Sequence, residues 1–355
     1  VGVGAAQKVS AKLRVLQANL ARGFRGGERQ TLLLAEALTD LGVDSRLLLA
    51  RGSGIPRHLS KPLRHTATRR NLPLNAVRDC DLVHAQEAKA ATWAWWNHLR
   101  TGTPYLITRH LPFAPGGGFV TRAAYQNAAA VICISESVRR AFAPGAPLNF
   151  SIIPNMTAPM HADPAAVAEL RAQFRGCFVA GHIGALSNRE KGQEFLIAAA
   201  RMLRESCPRL KFLFIGGGPD EAELREMARG LSTVEFTGFR DNIADYLALL
   251  DVFVFPSRFE GLGSALLDAM AAGLPIVAGA VAGVRDVIRD GETGLLAADA
   301  DAHALAAAIK RIYDDRKLAA ALARNAKKES AAYAPAIIAR RHLDLYRKVL
   351  ADGQG

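Results

Sequence analysis

An α/β fold of two doubly wound domains is the architecture this sequence predicts, and three observations predict it. Short apolar runs alternate with helical patterns along nearly the whole chain, which means parallel strands with helices on both faces. The alternation stops at a segment with three prolines, 154–165 (PNMTAPMHADPA), and then starts again. At 355 residues, half of them hydrophobic, the chain is long enough for two ordinary cores. Two Rossmann-like domains, 1–160 and 161–334, are expected to face each other across a cleft, with a separate helical segment at 335–355 and ligands bound between the domains.

The elements follow in order. Residues 13–16 read as the first strand, followed by the turn ARGFRGGER and a periodic helix over 28–41 that Gly42 ends. Strand-like runs come at 45–50, 82–84, 105–108, 131–134 and 151–153, with helical patterns at 88–99, 120–128 and 137–142. Residues 51–79 fit no clear element, and so long a loop marks function or mobility. Past the linker come strand 178–183, helix 192–205, strand 210–215, helix 220–229, strand 234–236 and helix 243–249. A strand–helix–strand unit at 251–278 is next, then strand 294–296, paired helices over 303–328 and a last helix over 337–350.

Charge is distributed unevenly. Formal net charge is +12, and residues 1–163 carry 20 Lys+Arg against 9 Asp+Glu while the remainder carries 25 against 24. Eight bases (Arg46, Arg51, Arg57, Lys61, Arg64, Arg69, Arg70, Arg78) occupy 46–78 with no acid among them. One half is thus built to meet something anionic: nucleic acid, an anionic membrane face or a phosphorylated acceptor. Nucleic acid is the least favoured, because the basic stretch has neither interleaved aromatics nor a recognised binding module. No apolar run approaches the roughly 20 residues of a membrane span, and VGVGAAQKVSAKL lacks the apolar centre of a secretory signal. Cys80, Cys133, Cys177 and Cys207 show no C-x-x-C spacing and read as small hydrophobes in a reducing compartment. A cytoplasmic protein is expected, peripheral on an anionic inner-leaflet membrane through residues 46–78.

The stretch DVFVFPSRFEGLGSALLDAMAAGLPIVA, 251–278, carries the most chemistry. Its loop follows a buried strand and opens an apolar helix, where open parallel sheets bind ligands. The backbone N–H groups of Gly261, Leu262, Gly263 and Ser264 lie at a helix N-terminus, a natural anion site. Glu260 and Asp268 flank it, up to roughly 12 Å apart along a helix, which approximates the span of a nucleotide sugar from ribose to sugar ring. Asp268 is the single charge in its helix.

This pattern resembles the E-x7-E signature of family-4 retaining glycosyltransferases of the GT-B fold, with Asp268 in place of the second Glu. Other segments carry the same resemblance. Gly26-Gly27-Glu28-Arg29 is similar to the family's N-domain glycine loop, and Asp81-Leu82-Val83-His84 and Thr108-Arg109-His110 to its two strand ends bearing His. Ile134-Ser135-Glu136 and Ile153-Pro154-Asn155 resemble its closing N-domain signatures, a helix cap and a hinge. Gly184 with Glu190-Lys191-Gly192 resembles the diphosphate clamp, Gly216-Gly217-Gly218-Pro219 the nucleotide-side loop, and Phe236 to Arg240 the base-reading loop. An arginine that usually follows the clamp glycine is Ala185 here, and Arg189 is the expected substitute.

The resemblance implies a hexosyl transfer with retention, from a nucleotide diphosphosugar (a UDP-sugar favoured) to a saccharide or glycolipid in lipopolysaccharide or other cell-surface glycoconjugate synthesis. Neither metal nor cofactor is implied. His110, Glu260 and Lys191 would be catalytic. Gly26, Gly27, Gly184, Arg189, Lys191, Gly216, Phe239, Arg240, Glu260, Gly261, Leu262, Gly263, Ser264 and Asp268 would hold the donor. His84, Arg109 and His110 would meet an anionic acceptor, and the last helix would cross back to the N-domain. A GT-B sugar-nucleotide epimerase is the alternative, and it would not need the Glu260–Asp268 spacing. Asp79-Cys80-Asp81 matches the metal-binding DxD pattern of other transferases but precedes an N-domain strand and reads as structural.

Overall fold

The computed structural model describes residues 12–68, 79–144, 146, 148–298 and 300–353. Arg69, Arg70 and Arg78 of the basic stretch lie outside them. Seven strands form the first sheet: β1 (Arg14–Asn19), β2 (Asp44–Ala50), β3 (His65–Thr68), β4 (Leu82–Ala85), β5 (Tyr105–Arg109), β6 (Ala130–Cys133) and β7 (Phe150–Ile152). All pair in parallel, in the order β3-β2-β1-β4-β5-β6-β7. Helices α1 (Gly26–Asp40), α2 (Ala88–Thr101), α3 (Phe119–Gln126) and α4 (Glu136–Arg140) connect them.

The second sheet is also wholly parallel, in the order β10-β9-β8-β11-β12-β13. Its strands are β8 (Phe178–Ile183), β9 (Leu210–Ile215), β10 (Val234–Gly238), β11 (Val252–Phe255), β12 (Ile276–Gly279) and β13 (Leu295–Ala297). Around it lie α5 (Pro164–Gln173), α6 (Asn188–Lys191), α7 (Gln193–Leu203), α8 (Glu221–Met227), α9 (Ile243–Leu249), α10 (Ser264–Ala272), α11 (Ala282–Arg285), α12 (Ala302–Asp314) and α13 (Arg316–Ser330). Central strands such as β4, β8 and β11 are buried at every position, the consequence of helices covering both sheet faces.

The last helix, α14 (Pro335–Asp352), returns to the first sheet. Ile338, Leu343 and Tyr346, at most 2% exposed, pack with Val15, Leu38 and Leu82. Each such side chain is worth roughly 1.5–3 kcal/mol on burial, so α14 is integral to that core.

Two segments differ from the sequence-based expectation. Residues 51–79 are not a single structureless loop: a 3-10 turn at Ile55–His58 and strand β3 lie within them. Strand β3 is a four-residue edge strand whose first three residues are exposed, so it shows no alternating pattern. The linker ends earlier than expected, because Asp163 caps α5 by accepting the Ala165 N–H at 2.9 Å. Helix α5 buries no residue fully, which removes the 3.6-residue signal that would mark it.

Candidate functional site

In each sheet the strand order reverses once, between β1 and β4 and between β8 and β11. Crevices for ligands open at the carboxyl ends of strands at such switch points. The loops that leave β1, β8, β9 and β11 carry the glycines singled out in the sequence.

Glycine brings the two halves together. Gly26, the first residue of α1, approaches α10 so closely that a Cβ on it would lie 3.3 Å from Ser264 Oγ. At Gly261 a Cβ would fall inside van der Waals contact of the His110 carbonyl oxygen, so only glycine lets the β5 and β11 ends meet. Ser135 Oγ donates to the Gly261 carbonyl at 2.5 Å, and the Ser137 N–H donates to Asp286 Oδ2 at 2.8 Å. Gly263, at φ +86, supplies the left-handed residue from which α10 starts. The amino ends of α1 and α10 therefore converge on one point of the cleft, and both favour negative charge there.

Lys191 and Glu260 are paired beside this point, with Nζ donating to Oε2 at 2.5 Å. Local backbone dictates the pairing. Gly192 ends α6 at φ +60, and the N–H groups of Arg258 and Phe259 both donate to the Glu190 carbonyl, at 2.9 and 3.2 Å. The loop after β11 is thus fastened to α6, which sets Glu260 next to Lys191. Both side chains keep partial exposure, 21% for Lys191 and 16% for Glu260, so a ligand can reach them.

The remaining residues expected from the sequence to hold the donor spread along the same edge. Gly216, at φ +143, packs against the Gly184 carbonyl and donates its N–H to Gly238 at 3.0 Å. Leu262 is buried at 2% exposure and serves the core. Phe239 is 65% exposed, Arg240 is exposed with its guanidinium 6.0 Å from the Tyr246 ring centre, and Arg189 is exposed and makes no ion pair among the described residues.

Asp268 does not face open space. It is 2% exposed, and its carboxylate accepts from Arg29 Nη1 on Oδ2 and from the Ala158 N–H at 3.3 Å on Oδ1. A charge buried in an apolar helix needs such partners, and they come from the first domain and from the linker. Gln30, next to Arg29, holds the linker with two bonds, Nε2 to the Met156 carbonyl at 2.8 Å and the Met156 N–H to Oε1 at 2.9 Å.

The expectation that His84 meets an acceptor is corrected. Its side chain is wholly buried and both ring nitrogens are occupied. The Gln86 amide donates to Nδ1 at 3.1 Å, which makes Nε2 the protonated nitrogen, donating to Thr108 Oγ1 at 2.6 Å. Tyr346 of α14 completes the network, with its hydroxyl 2.7 Å from Nδ1, and burial holds the imidazole pKa well below its ordinary value. Helix α14 covers the strand end that the sequence leaves open.

His110 turns its carbonyl to Gly261, while its ring lines a small pocket with Gln30, Gln86, Thr108, Asn155 and His342. Its Nε2 is buried and has no partner among the described residues. Burial, reinforced by Arg109, lowers its pKa to about 4, so the ring is neutral at pH 7. Arg109 donates from Nη2 to the Phe113 carbonyl at 2.6 Å, and the Phe113 ring meets Phe259 of the second domain with centroids 5.7 Å apart. Asp81 is bound to Arg14, accepting its Nη2 at 2.6 Å and its N–H at 2.9 Å, at the amino edge of the sheet and away from the cleft. Among the described residues no cluster of three or more His, Cys, Asp or Glu side chains is placed to hold a metal ion.

Two arginines beside the expected site carry no role in the sequence reading. Arg29 stands in the sequence simply as the last residue of the glycine loop, although a lone acid in an apolar helix demands a cation. Arg258 lies beside Gly192, with its Nε buried and without a partner among the described residues and its guanidinium 5.8 Å from the Phe195 ring centre, and its sequence position carries no such signal.

Comparison with known proteins matches residues 24–158 to the family described as Glycosyltransferase Family 4 and residues 177–315 to Glycosyl transferases group 1. The 2-deoxystreptamine glucosyltransferase of Streptomyces kanamyceticus is 28% identical over 81% of this chain and 89% of that protein. The chain spans between 30% and 51% of the length of other curated relatives. One is the GDP-mannose-dependent alpha-(1-6)-phosphatidylinositol monomannoside mannosyltransferase of Mycobacterium tuberculosis, 33% identical over 51% of each chain. Among solved structures, HepE of Anabaena in complex with UDP and glucose superposes with a TM-score of 0.81 at 21% identity, covering 94% of this chain and 99% of that one.

Proposed function

This chain belongs to the family-4 glycosyltransferases of the GT-B fold, and from that premise we propose that it transfers a hexose with retention from a nucleotide diphosphosugar to an anionic saccharide or glycolipid acceptor. A UDP-sugar is the favoured donor, in keeping with the UDP and glucose held by HepE. The mannosyltransferase relative is named for a phosphatidylinositol-containing acceptor and for GDP-mannose, which supports an anionic acceptor and keeps the base open to test. Synthesis of lipopolysaccharide or another cell-surface glycoconjugate is the proposed setting. No helix among the described residues is long and apolar enough to cross a membrane, so attachment to an inner leaflet would use the basic surface.

One observation carries the reading: the glycine-bearing amino ends of α1 and α10 meet across the cleft beside a Lys191–Glu260 pair. Departure of the diphosphate builds negative charge, which Lys191, Arg189 and the N–H groups of Gly261–Ser264 would receive without a metal. Glu260, freed from Lys191 as the diphosphate takes that ammonium, would hold the hydroxyls of a sugar ring that gains positive charge. The acceptor oxygen bonds to the anomeric carbon on the face the diphosphate leaves, and its proton passes to a diphosphate oxygen. Neutral His110 can hydrogen-bond the sugar without adding positive charge beside it, and Gly184, Gly216, Phe239 and Arg240 would contact the nucleotide.

The test is nucleotide release from UDP-, GDP- and ADP-hexoses in the absence of acceptor. Slow hydrolysis of a UDP-hexose, lost in Glu260→Gln, is expected. Failure of all three donors to be cleaved, together with no binding of UDP, GDP or ADP, would reject a donor site here.

A further inference from the structure

Two loops at the carboxyl edge of the first sheet form one rigid unit. They are the segment leaving β1, residues 20–25, and the start of the segment leaving β2, residues 51–58. A parallel bridge joins Gly23 to Ser53, and the Gly54 N–H donates to the Gly23 carbonyl at 2.9 Å. The approach is close enough that a Cβ on Gly54 would lie 2.8 Å from Phe24 Cβ. Phe24 stacks on the His58 ring with centroids 3.8 Å apart, and Ile55, wholly buried, pins the unit into a small core with Leu32, Leu47 and Leu49.

This unit carries four exposed arginines, Arg22, Arg25, Arg51 and Arg57, and none makes an ion pair among the described residues. The acids nearby are turned to backbone instead. Glu28 accepts the Arg25 N–H at 2.8 Å and Glu36 accepts the Ser60 N–H at 2.7 Å, while Asp40 pairs with Lys61. Four like charges on a rigid unit repel one another, and an ordinary surface relieves that with interspersed acids. Guanidinium groups are also the side chains best matched to the oxygens of phosphate. Arg25 immediately precedes Gly26, the residue that touches Ser264 across the cleft, so the arginines flank the donor site on the first-domain side.

We propose that this arginine-bearing double loop is a subsite for a phosphate group on the acceptor, which would make the acceptor a phosphorylated saccharide. The proposal rests on the transferase reading above and adds the acceptor's chemical class to it. Phosphate at this place would also orient the acceptor, leaving a hydroxyl rather than the anion directed at the donor sugar.

The experiment uses the full chain saturated with UDP, which fills the donor's own anion site. Glucose 6-phosphate and glucose are titrated against wild type and the double variant Arg51→Gln/Arg57→Gln, with thermal melting as a check on folding. Wild type should bind glucose 6-phosphate and not glucose, weakening at least tenfold between low and moderate salt. The double variant should lose that binding at least tenfold and keep wild-type UDP affinity and melting. Equal binding of glucose 6-phosphate by wild type and variant, or none by either, overturns the subsite. A parallel loss of UDP affinity overturns it too, by assigning the arginines to the donor. Vesicles of phosphatidylglycerol and of phosphatidylcholine form the last arm. Arginine-dependent binding to phosphatidylglycerol vesicles without binding of glucose 6-phosphate would make the loop a membrane contact and overturn the subsite. Absence of UDP binding in wild type rejects the donor reading separately.

Discussion

Removing either partner of the Arg29–Asp268 pair should destabilise the protein, and by unequal amounts. Asp268 has 3% of its side chain exposed and Arg29 has 26%. Arg29→Met leaves a carboxylate in the core with only the Ala158 N–H to answer it. An uncompensated buried charge costs about 3–5 kcal/mol. Spread over the unfolding entropy of a 355-residue chain, that is a fall of about 5 °C in melting temperature. Asp268→Asn keeps the size of the side chain and an oxygen for Ala158, and it releases a guanidinium that can turn to water, so its cost should be nearer 1–2 kcal/mol. The double variant should recover much of the Arg29→Met loss, a coupling of about 2 kcal/mol. Denaturant unfolding of the four proteins measures the cycle, and UDP titration of each reports whether the donor site depends on the pair. Equal single-variant costs that add in the double variant would refute the reasoning, because uncoupled residues have no shared interaction to lose.

Three further outcomes are expected. Lys191→Ala should lower donor turnover by about 10²–10³ with the melting temperature little changed, since an ammonium aimed at a leaving diphosphate is worth that much; steady-state nucleotide release checks it. Gly261→Ala should push the His110 backbone away and cost roughly a hundredfold in kcat/KM while both domains stay folded, seen as lost activity with an unchanged far-ultraviolet circular dichroism spectrum. Acid should destabilise the chain through buried histidines. His182 and His342 are at most 5% exposed, each donates Nδ1–H to a main-chain carbonyl, and burial lowers each pKa to about 4 from 6.5. The unfolded state then binds more protons than the folded one below pH 6.5. Their stabilising contribution is present above that pH and is lost as pH falls toward 4, by about 2 kcal/mol for each ring at pH 5. Stability that stays flat in denaturant melts between pH 7 and pH 5 would contradict this.

The two sheets were legible because parallel strands covered on both faces become apolar runs, and β8, β9 and β11 fall where those runs are. Strand β3 was not, since HTAT exposes three of its four residues, and neither was α5, which buries none of its own fully. The glycine loops were visible because close backbone approach selects one residue type at a recognisable strand end. The partner of Asp268 was not, because Arg29 lies 239 residues away in the chain and nothing local marks their meeting. His84 shows the converse error. A histidine at a strand end reads as facing the cleft, yet the side it faces is set by α14, whose Tyr346 arrives from 262 residues further on.

The chain passes between its two domains twice, once in the linker and once just before α14, and the two passages are bonded side by side. The Thr157 N–H donates to the Tyr333 carbonyl at 2.9 Å. Two tethers at a single corner would act as a pivot for any movement of one domain against the other. Rotation about that corner separates distant surfaces most and adjacent ones least. Ala158, which bonds Asp268, is the residue next to Thr157. The Arg29–Asp268 pair therefore lies next to this corner, where such a movement would displace it least, while Phe113 and Phe259 meet on the segments that follow β5 and β11. At that corner Asp268 reaches both Arg29 and the Ala158 N–H with a side chain one methylene shorter than Glu.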